Sequence, residues 1–299
     1  MVKLHSIDVL HVHYAIPHAY AGYMAKQMLA EEGINIPMIT TLHGTDITLV
    51  GNHPFYKPAV TFSINKSDIV TSVSQSLKDD TYKLFNIKKE IHVIPNFIEL
   101  DKIRNESQIS CHRSVMAKKE ERIVTHISNF RKVKRIPDII KIFYKIQERI
   151  PAKLMMVGDG PEKVKAEQLC KELGIEEKVI FFGNSSEIDQ ILSYSDLFLL
   201  PSETESFGLA ALEAMAWSVP VISSNSGGLS EVNLDGISGY LSNVGDIDSM
   251  AENALKILSD NATLAKFRES ALSVAQKFDI KNILPLYEAL YQEAIDNSK

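Results

Sequence analysis

The sequence predicts an α/β protein built from two doubly wound, parallel-sheet domains in series. Three observations predict it. Short apolar runs of strand length alternate with longer amphipathic runs, the pattern of parallel sheets covered by helices. The alternation stops over residues 97–120, which are polar and charged, and then resumes. The residues with chemical potential fall just after the strands, where ligands of such sheets bind. A length of 299 residues, 45% hydrophobic and 23% charged, suits two domains with cores of ordinary size.

Ile7–Tyr14 reads as a buried strand, and Pro17–Glu32 as a helix closed by Gly33. Met38–Leu42 is a second strand and runs into His43-Gly44-Thr45-Asp46. Strands at Asp68–Val73 and His92–Ile94 follow, separated by the helix Ser74–Phe85. Beyond the break, strands are expected near Ile123–Ile127, Lys153–Val157, Val179–Phe182, Leu197–Leu200 and Val219–Ser223. Helices lie between them, among them Pro137–Arg149, Glu162–Leu173 and Gly208–Trp217, and the tail Asp246–Asn297 reads as helical throughout. The expected division is residues 1–105 for a first domain, 106–280 for a second, and 281–299 for a helix returning to the first. A ligand is expected in the cleft between two such domains.

Composition excludes several classes. No apolar run approaches the roughly 18–20 residues of a membrane helix. Met1–Lys3 leads straight into a strand-like segment, so no signal peptide is expected. A formal net charge of −6 argues against nonspecific nucleic-acid binding, which needs a basic footprint. Cys111 and Cys170 are the two cysteines and neither has a zinc-type spacing, so a reduced, cytoplasmic setting is expected.

Four constellations carry chemistry. Ser206-Phe207-Gly208-Leu209 opens a helix after the strand Leu197–Leu200, and a helix start offers free N–H groups to a phosphate. Glu205 precedes it and Glu213 lies inside it. Eight helical residues cover about 12 Å, roughly the span from a nucleotide ribose to the sugar it carries. The same residues also read as a capped helix with two solvated glutamates. Ser128 through Arg135 places four cations, Arg131, Lys132, Lys134 and Arg135, after the strand Ile123–Ile127. It reads as a diphosphate clamp, Arg as a fork and Lys as a point charge, or as a solvated basic loop. Gly158-Asp159-Gly160-Pro161, Gly183-Asn184 and Gly227-Gly228 permit close backbone approach to a ligand, or serve turns alone. Six of nine histidines fall at or before His53, and His43 is the best placed of them for the cleft. His11 and His13 have a spacing used by strand metal sites, but no carboxylate cluster accompanies them. Asp246-Ile247-Asp248 follows Gly245 and precedes a helix, so Asp246 reads as an N-cap rather than a metal ligand.

On Glu205-Ser-Phe-Gly-Leu-Ala-Ala-Leu-Glu213, Arg131 with Lys134, and Gly227-Gly228-Leu229-Ser230-Glu231, the chain resembles retaining glycosyltransferases of the GT-B fold, family four. Residues 11–19, 40–46 and 128–135 resemble the bacillithiol-pathway members, which join N-acetylglucosamine to L-malate. The resemblance implies two Rossmann-like domains, UDP-N-acetylglucosamine and L-malate as substrates, and no cofactor or metal. A homo-oligomer is expected. It implies that Glu205 meets the transferred sugar, Glu213 the ribose, and Arg131 and Lys134 the diphosphate, with Asn129 beside the reacting centre. The amides of Ser206, Phe207, Gly208 and Leu209, with Gly158 and Gly183, would complete the donor site. His43 would face the sugar, while Tyr14 and Thr41 would help hold malate. Ser230 departs from the usual proline, and Trp217-Ser218 from a small Cys-Gly pair. No glycine-rich loop precedes Ile7, so the first domain is expected to be incomplete, short of a wall of the acceptor pocket. A lipid or polysaccharide acceptor, or a non-transferring sugar-nucleotide protein such as an epimerase, remain as alternatives.

Overall fold

A computed structural model describes residues 2–49, 51, 53–106 and 113–298. The chain folds as two compact units, residues 1–97 with 280–299, and residues 98–279. Each is an all-parallel sheet with helices around it.

The N-terminal unit holds β1 (Leu10–His13), β2 (Met38–Leu42), β3 (Ile69–Ser72) and β4 (Ile91–Val93), paired in chain order. Register places His11 beside Ile39 and His13 beside Thr41. β2 and β3 are buried along their whole length, as parallel strands covered on both faces must be. The helix expected from Pro17 begins at Tyr20 and ends at Glu31. Ala15–Ala19 forms a wider turn instead, because Ile16 is extended. Gly33, at φ +77°, ends that helix, with its N–H on the Ala30 carbonyl and that of Ile34 on the Leu29 carbonyl. The last helix, Ile280–Ser298, packs Ile283, Tyr287, Leu290 and Ala294 against Ile39, Ile69 and Ile94.

The C-terminal unit holds β5 (Arg122–Ile127), β6 (Ala152–Val157), β7 (Val179–Gly183), β8 (Leu197–Leu200), β9 (Val221–Ser224) and β10 (Gly239–Ser242). Their order across the sheet is β10-β9-β8-β5-β6-β7. β10 is the strand that sequence reading missed; it is four residues long and includes a glycine and a serine. Its core joins Ile139, Ile140, Phe143, Leu154, Leu197, Ile222 and Ala254. Residues 97–120, where the strand–helix alternation breaks, contain the helices Leu100–Glu106 and Arg113–Met116. The helical tail is three helices, Ile247–Leu258, Asn261–Ala275 and Ile280–Ser298. Cys170 is buried in the core and burial pushes its thiol up to about 11, while Cys111 lies outside the described residues.

Candidate active site

The sheet of the C-terminal unit reverses direction at β5. From β5 the chain builds outward through β6 and β7, then returns to the other side for β8, β9 and β10. The loops leaving β5 and β8 therefore diverge at one sheet position, the switch point where doubly wound sheets bind ligands. Those loops are the basic segment after Ile127 and the glutamate segment after Leu200. They are joined directly: the Glu203 N–H donates to the Val133 carbonyl over 2.8 Å.

Lys134 Nζ and a Glu205 carboxylate oxygen form an ion pair, and Ser202 Oγ donates to the same oxygen over 2.9 Å. Both side chains are mostly shielded, with 21% and 14% of their surface exposed, so the pair is held in a defined place. Arg131 is exposed, and no side-chain partner is seen for it among the described residues. Asn129 is also exposed and follows Ser128. Beneath them sits His126, which the sequence reading did not select. It is fully buried, with Nδ1 2.8 Å from the Leu199 carbonyl and Nε2 2.7 Å from Ser128 Oγ. Burial holds this imidazole down at about 4; the Leu199 bond opposes that and nearby Lys134 adds to it. It is thus a neutral bridge between the ends of β5 and β8. Phe130, fully buried at φ +33°, stacks on it at 6.1 Å.

Gly208, at φ +97°, turns the chain into the helix Leu209–Ala216. Phe207 is buried against Phe278, with ring centroids 5.7 Å apart. Leu209 is 42% exposed. Glu213 lies on the second turn of that helix. Burial, then the charge of Asp189, raises its carboxyl to about 6. Asp189 is itself held by the Trp217 indole N–H over 2.8 Å.

The glycines have packing reasons that spacing could not show. A Cβ on Gly158 would lie 1.8 Å from the Ser128 carbonyl oxygen, and one on Gly160 2.2 Å from that of Asn129. A Cβ on Gly227 would lie 2.0 Å from the Glu205 oxygen, and one on Gly228 2.3 Å from that of Ser206. These positions let neighbouring loops press onto the basic and glutamate segments. Gly183 differs: at φ +65° it has open space where a Cβ would project.

In the N-terminal unit, Tyr14, His13 and His43 gather at the carboxyl ends of β1 and β2. The Tyr14 ring lies 4.9 Å from that of His43. Burial, reinforced by His13 and His11, holds His43 down at about 4. Thr41 is fully buried, and its hydroxyl lies 2.8 Å from His11 Nε2 and 2.7 Å from Thr71 Oγ1. Asp46, another residue the sequence reading left without a role, accepts from the N–H of Ala15 at 2.7 Å and of Gly44 at 3.0 Å. It clamps the loop after β2 to the loop after β1. A cavity of about 480 Å³, mainly apolar and lined by Tyr14, Ile16, Pro17, Tyr20 and Tyr56, opens beside them.

Asp246 caps its helix, accepting from the Ser249 N–H over 3.0 Å, and Asp248 pairs with Lys145. Both nitrogens of His11 are engaged, by Tyr291 and Thr41. Among the described residues no group of three His, Cys, Asp or Glu side chains could hold a metal ion, and no helix is long and apolar enough to cross a membrane.

Residues 108–274 match the family model for glycosyl transferases group 1, and residues 1–102 that for Glycosyltransferase Family 4. The chain is 43% identical over 295 residues to N-acetyl-alpha-D-glucosaminyl L-malate synthase of Bacillus anthracis, covering 98% of this chain and 77% of that one. It is 24% identical to 2-deoxystreptamine N-acetyl-D-glucosaminyltransferase of Niallia circulans, covering 97% and 77%. The fold superposes on Anabaena HepE in complex with UDP and glucose with a TM-score of 0.83 at 22% identity, covering 97% and 79%.

Proposed function

Since this chain belongs to the group 1 glycosyltransferases of family 4, we propose that it moves N-acetylglucosamine from UDP-N-acetylglucosamine to L-malate, with retained α configuration. This would be the first step of bacillithiol biosynthesis. The carrying observation is the 43% identity across nearly the whole chain to an enzyme named for that product. The switch-point cluster supports the chemistry.

The demanding event is departure of UDP from an oxocarbenium-like sugar. Arg131, Lys134 and the amides of Ser206–Leu209 would meet the charge that develops on the diphosphate. Donors fixed beforehand need no reorganisation when that charge appears. The Lys134–Glu205 pair would set both groups at once, the lysine toward phosphate and the carboxylate toward sugar hydroxyls. Glu213 would accept from the ribose hydroxyls. Asn129 lies beside the clamp, while His43 and Tyr14 would meet the sugar and acceptor. No protein nucleophile is assigned; the donor phosphate would take the malate proton on the face it leaves. Because Asp246 is committed to a cap and Asp248 to Lys145, activity should persist in EDTA.

A second reading draws on the N-terminal unit. Tyr20, Phe55, Tyr56 and Phe62 are exposed there, with Lys66 over the Phe62 ring, an aromatic and basic face suited to a larger acceptor. Product analysis with radiolabelled UDP-N-acetylglucosamine decides. Malate-dependent formation of a labelled glycoside is the expected result. Transfer to a lipid or polysaccharide in preference to malate supports the second reading, and UDP-sugar binding without transfer overturns both.

A further inference from the structure

His13 ends β1 and His43 follows β2, and His13 Nδ1 lies 2.8 Å from His43 Nε2. Two imidazoles make this contact only when one nitrogen carries a hydrogen and the other offers a lone pair. The outer nitrogens of the pair are then coupled. When His43 Nε2–H donates, His43 Nδ1 keeps a lone pair and His13 Nε2 carries a hydrogen. When His13 Nδ1–H donates, both outer roles reverse. Among the described residues neither outer nitrogen has a protein partner.

The surroundings hold the rings in register. His11 stacks on His13 with centroids 4.6 Å apart, and is anchored by Tyr291 OH at 2.7 Å and Thr41 at 2.8 Å. His18 Nδ1 lies 2.7 Å from the His13 carbonyl oxygen. Asp46 Oδ1 accepts from the His43 N–H. The groups facing the pair are thus His11, His18 and Tyr14 from β1 and the turn after it, and Asp46 after β2, while Tyr287 and Tyr291 from the last helix back His11. The one carboxylate among them, Asp46, is spent on backbone N–H groups. Burial keeps His11 and His43 low, and burial with nearby His18 lowers His13.

We propose that His13 is a positioning residue for His43. It orients the ring and lets His43 Nδ1 either accept from or donate to a substrate hydroxyl, with the compensating hydrogen carried at the exposed His13 Nε2. The assignment of that hydroxyl to the transferred sugar or the acceptor rests on the transferase reading above. The pairing itself does not.

Nitrogen-15 NMR of histidine-labelled full chain tests the pairing. His43 should remain neutral and ring-bonded down to about pH 5 in the parent. In His13→Leu, which keeps an apolar partner for His11, its tautomers should redistribute and its titration move. An unchanged His43 spectrum and titration in His13→Leu overturns the proposal. Kinetics supply the second arm. His13→Leu should lower kcat on the order of 10-fold and shift the acid limb of its pH profile. His13→Asn, whose amide oxygen replaces the Nδ1 acceptor, should recover most of the rate. Equal losses in both variants with an unshifted acid limb would reduce His13 to a packing residue and overturn it. If the parent transfers no sugar yet the NMR result holds, the transferase reading fails and the pairing stands.

Discussion

At the scale of residues, two side chains should separate clamp from donor recognition. Lys134 is the cation held to Glu205 at the switch point. Lys134→Ala should lower kcat by about 10²–10³-fold, the usual loss for one preorganised donor to developing charge. Near-normal turnover would overturn the clamp assignment. Glu213 gives a test in pH. Its carboxyl is raised from 4.5 to about 6, so the folded chain holds that proton more tightly than the unfolded chain. Stability from this group is full below about pH 4.5 and is lost as the pH rises through about 6. At about 1.4 kcal/mol for each pH unit, the buried charge costs about 2 kcal/mol at pH 7. Glu213→Gln should therefore gain about 1–2 kcal/mol at pH 7 and nothing near pH 4.5. It should also weaken UDP binding by roughly 1.5–3 kcal/mol, since a charged acceptor is lost. Denaturant melts at the two pH values and titration calorimetry read both effects. A variant that is neither more stable nor weaker in UDP binding leaves Glu213 without the role given to it.

At the scale of elements, the loops of the site are held by backbone contacts as much as by side chains. Gly158 makes this measurable. Its φ of +117° and the Ser128 oxygen 1.8 Å from a would-be Cβ leave no room for alanine. Gly158→Ala should cost about 2 kcal/mol or more through strain and displacement of the Ser128–Asn129 loop. Gly183→Ala meets no atom, so only its φ of +65° is penalised, at about 1–2 kcal/mol. Chemical denaturation, read beside UDP affinity, distinguishes them. Gly158→Ala should lose both stability and affinity, and equal effects at the two positions would contradict the packing account.

At the scale of the molecule, the last helix belongs to the unit in which the chain began. Tyr287 and Leu290 are 8% and 9% exposed and lie on Ile39 and Ile69, so truncating them empties the N-terminal core. Leu290→Ala should cost about 2–5 kcal/mol of that unit's stability. Calorimetry should show an earlier transition for residues 1–97 with 280–299, while UDP affinity, assigned to residues 98–279, holds. A uniform fall in both unfolding and UDP binding would show that the units do not unfold separately.

Much of the architecture was legible because it depends on local pattern. Among the described residues, nine of the ten strands announce themselves as short apolar runs, and the glutamate and basic segments follow β8 and β5 as their spacing implies. Asp246 could be read as a cap because capping is a contact three residues along the chain. What the pattern could not carry is which distant segments meet. Spacing gave no warning that Lys134 would close on Glu205, that His126 would bridge β5 to Ser128 and Leu199, or that His13 would bond His43. Thr41 is expected from the resemblance to help hold malate, yet tertiary contacts bury it completely. Gly158 and Gly227 read equally as ligand approaches or as turns, and only three dimensions reveal the carbonyl oxygens pressed against them. The sequence by itself determined the fold class and where the charged and glycine-rich segments fall along the strands, because periodicity and loop position are properties of neighbours. The tertiary structure decided which side chains are partners and which are buried, because strand order across a sheet is set by the packing of the whole unit.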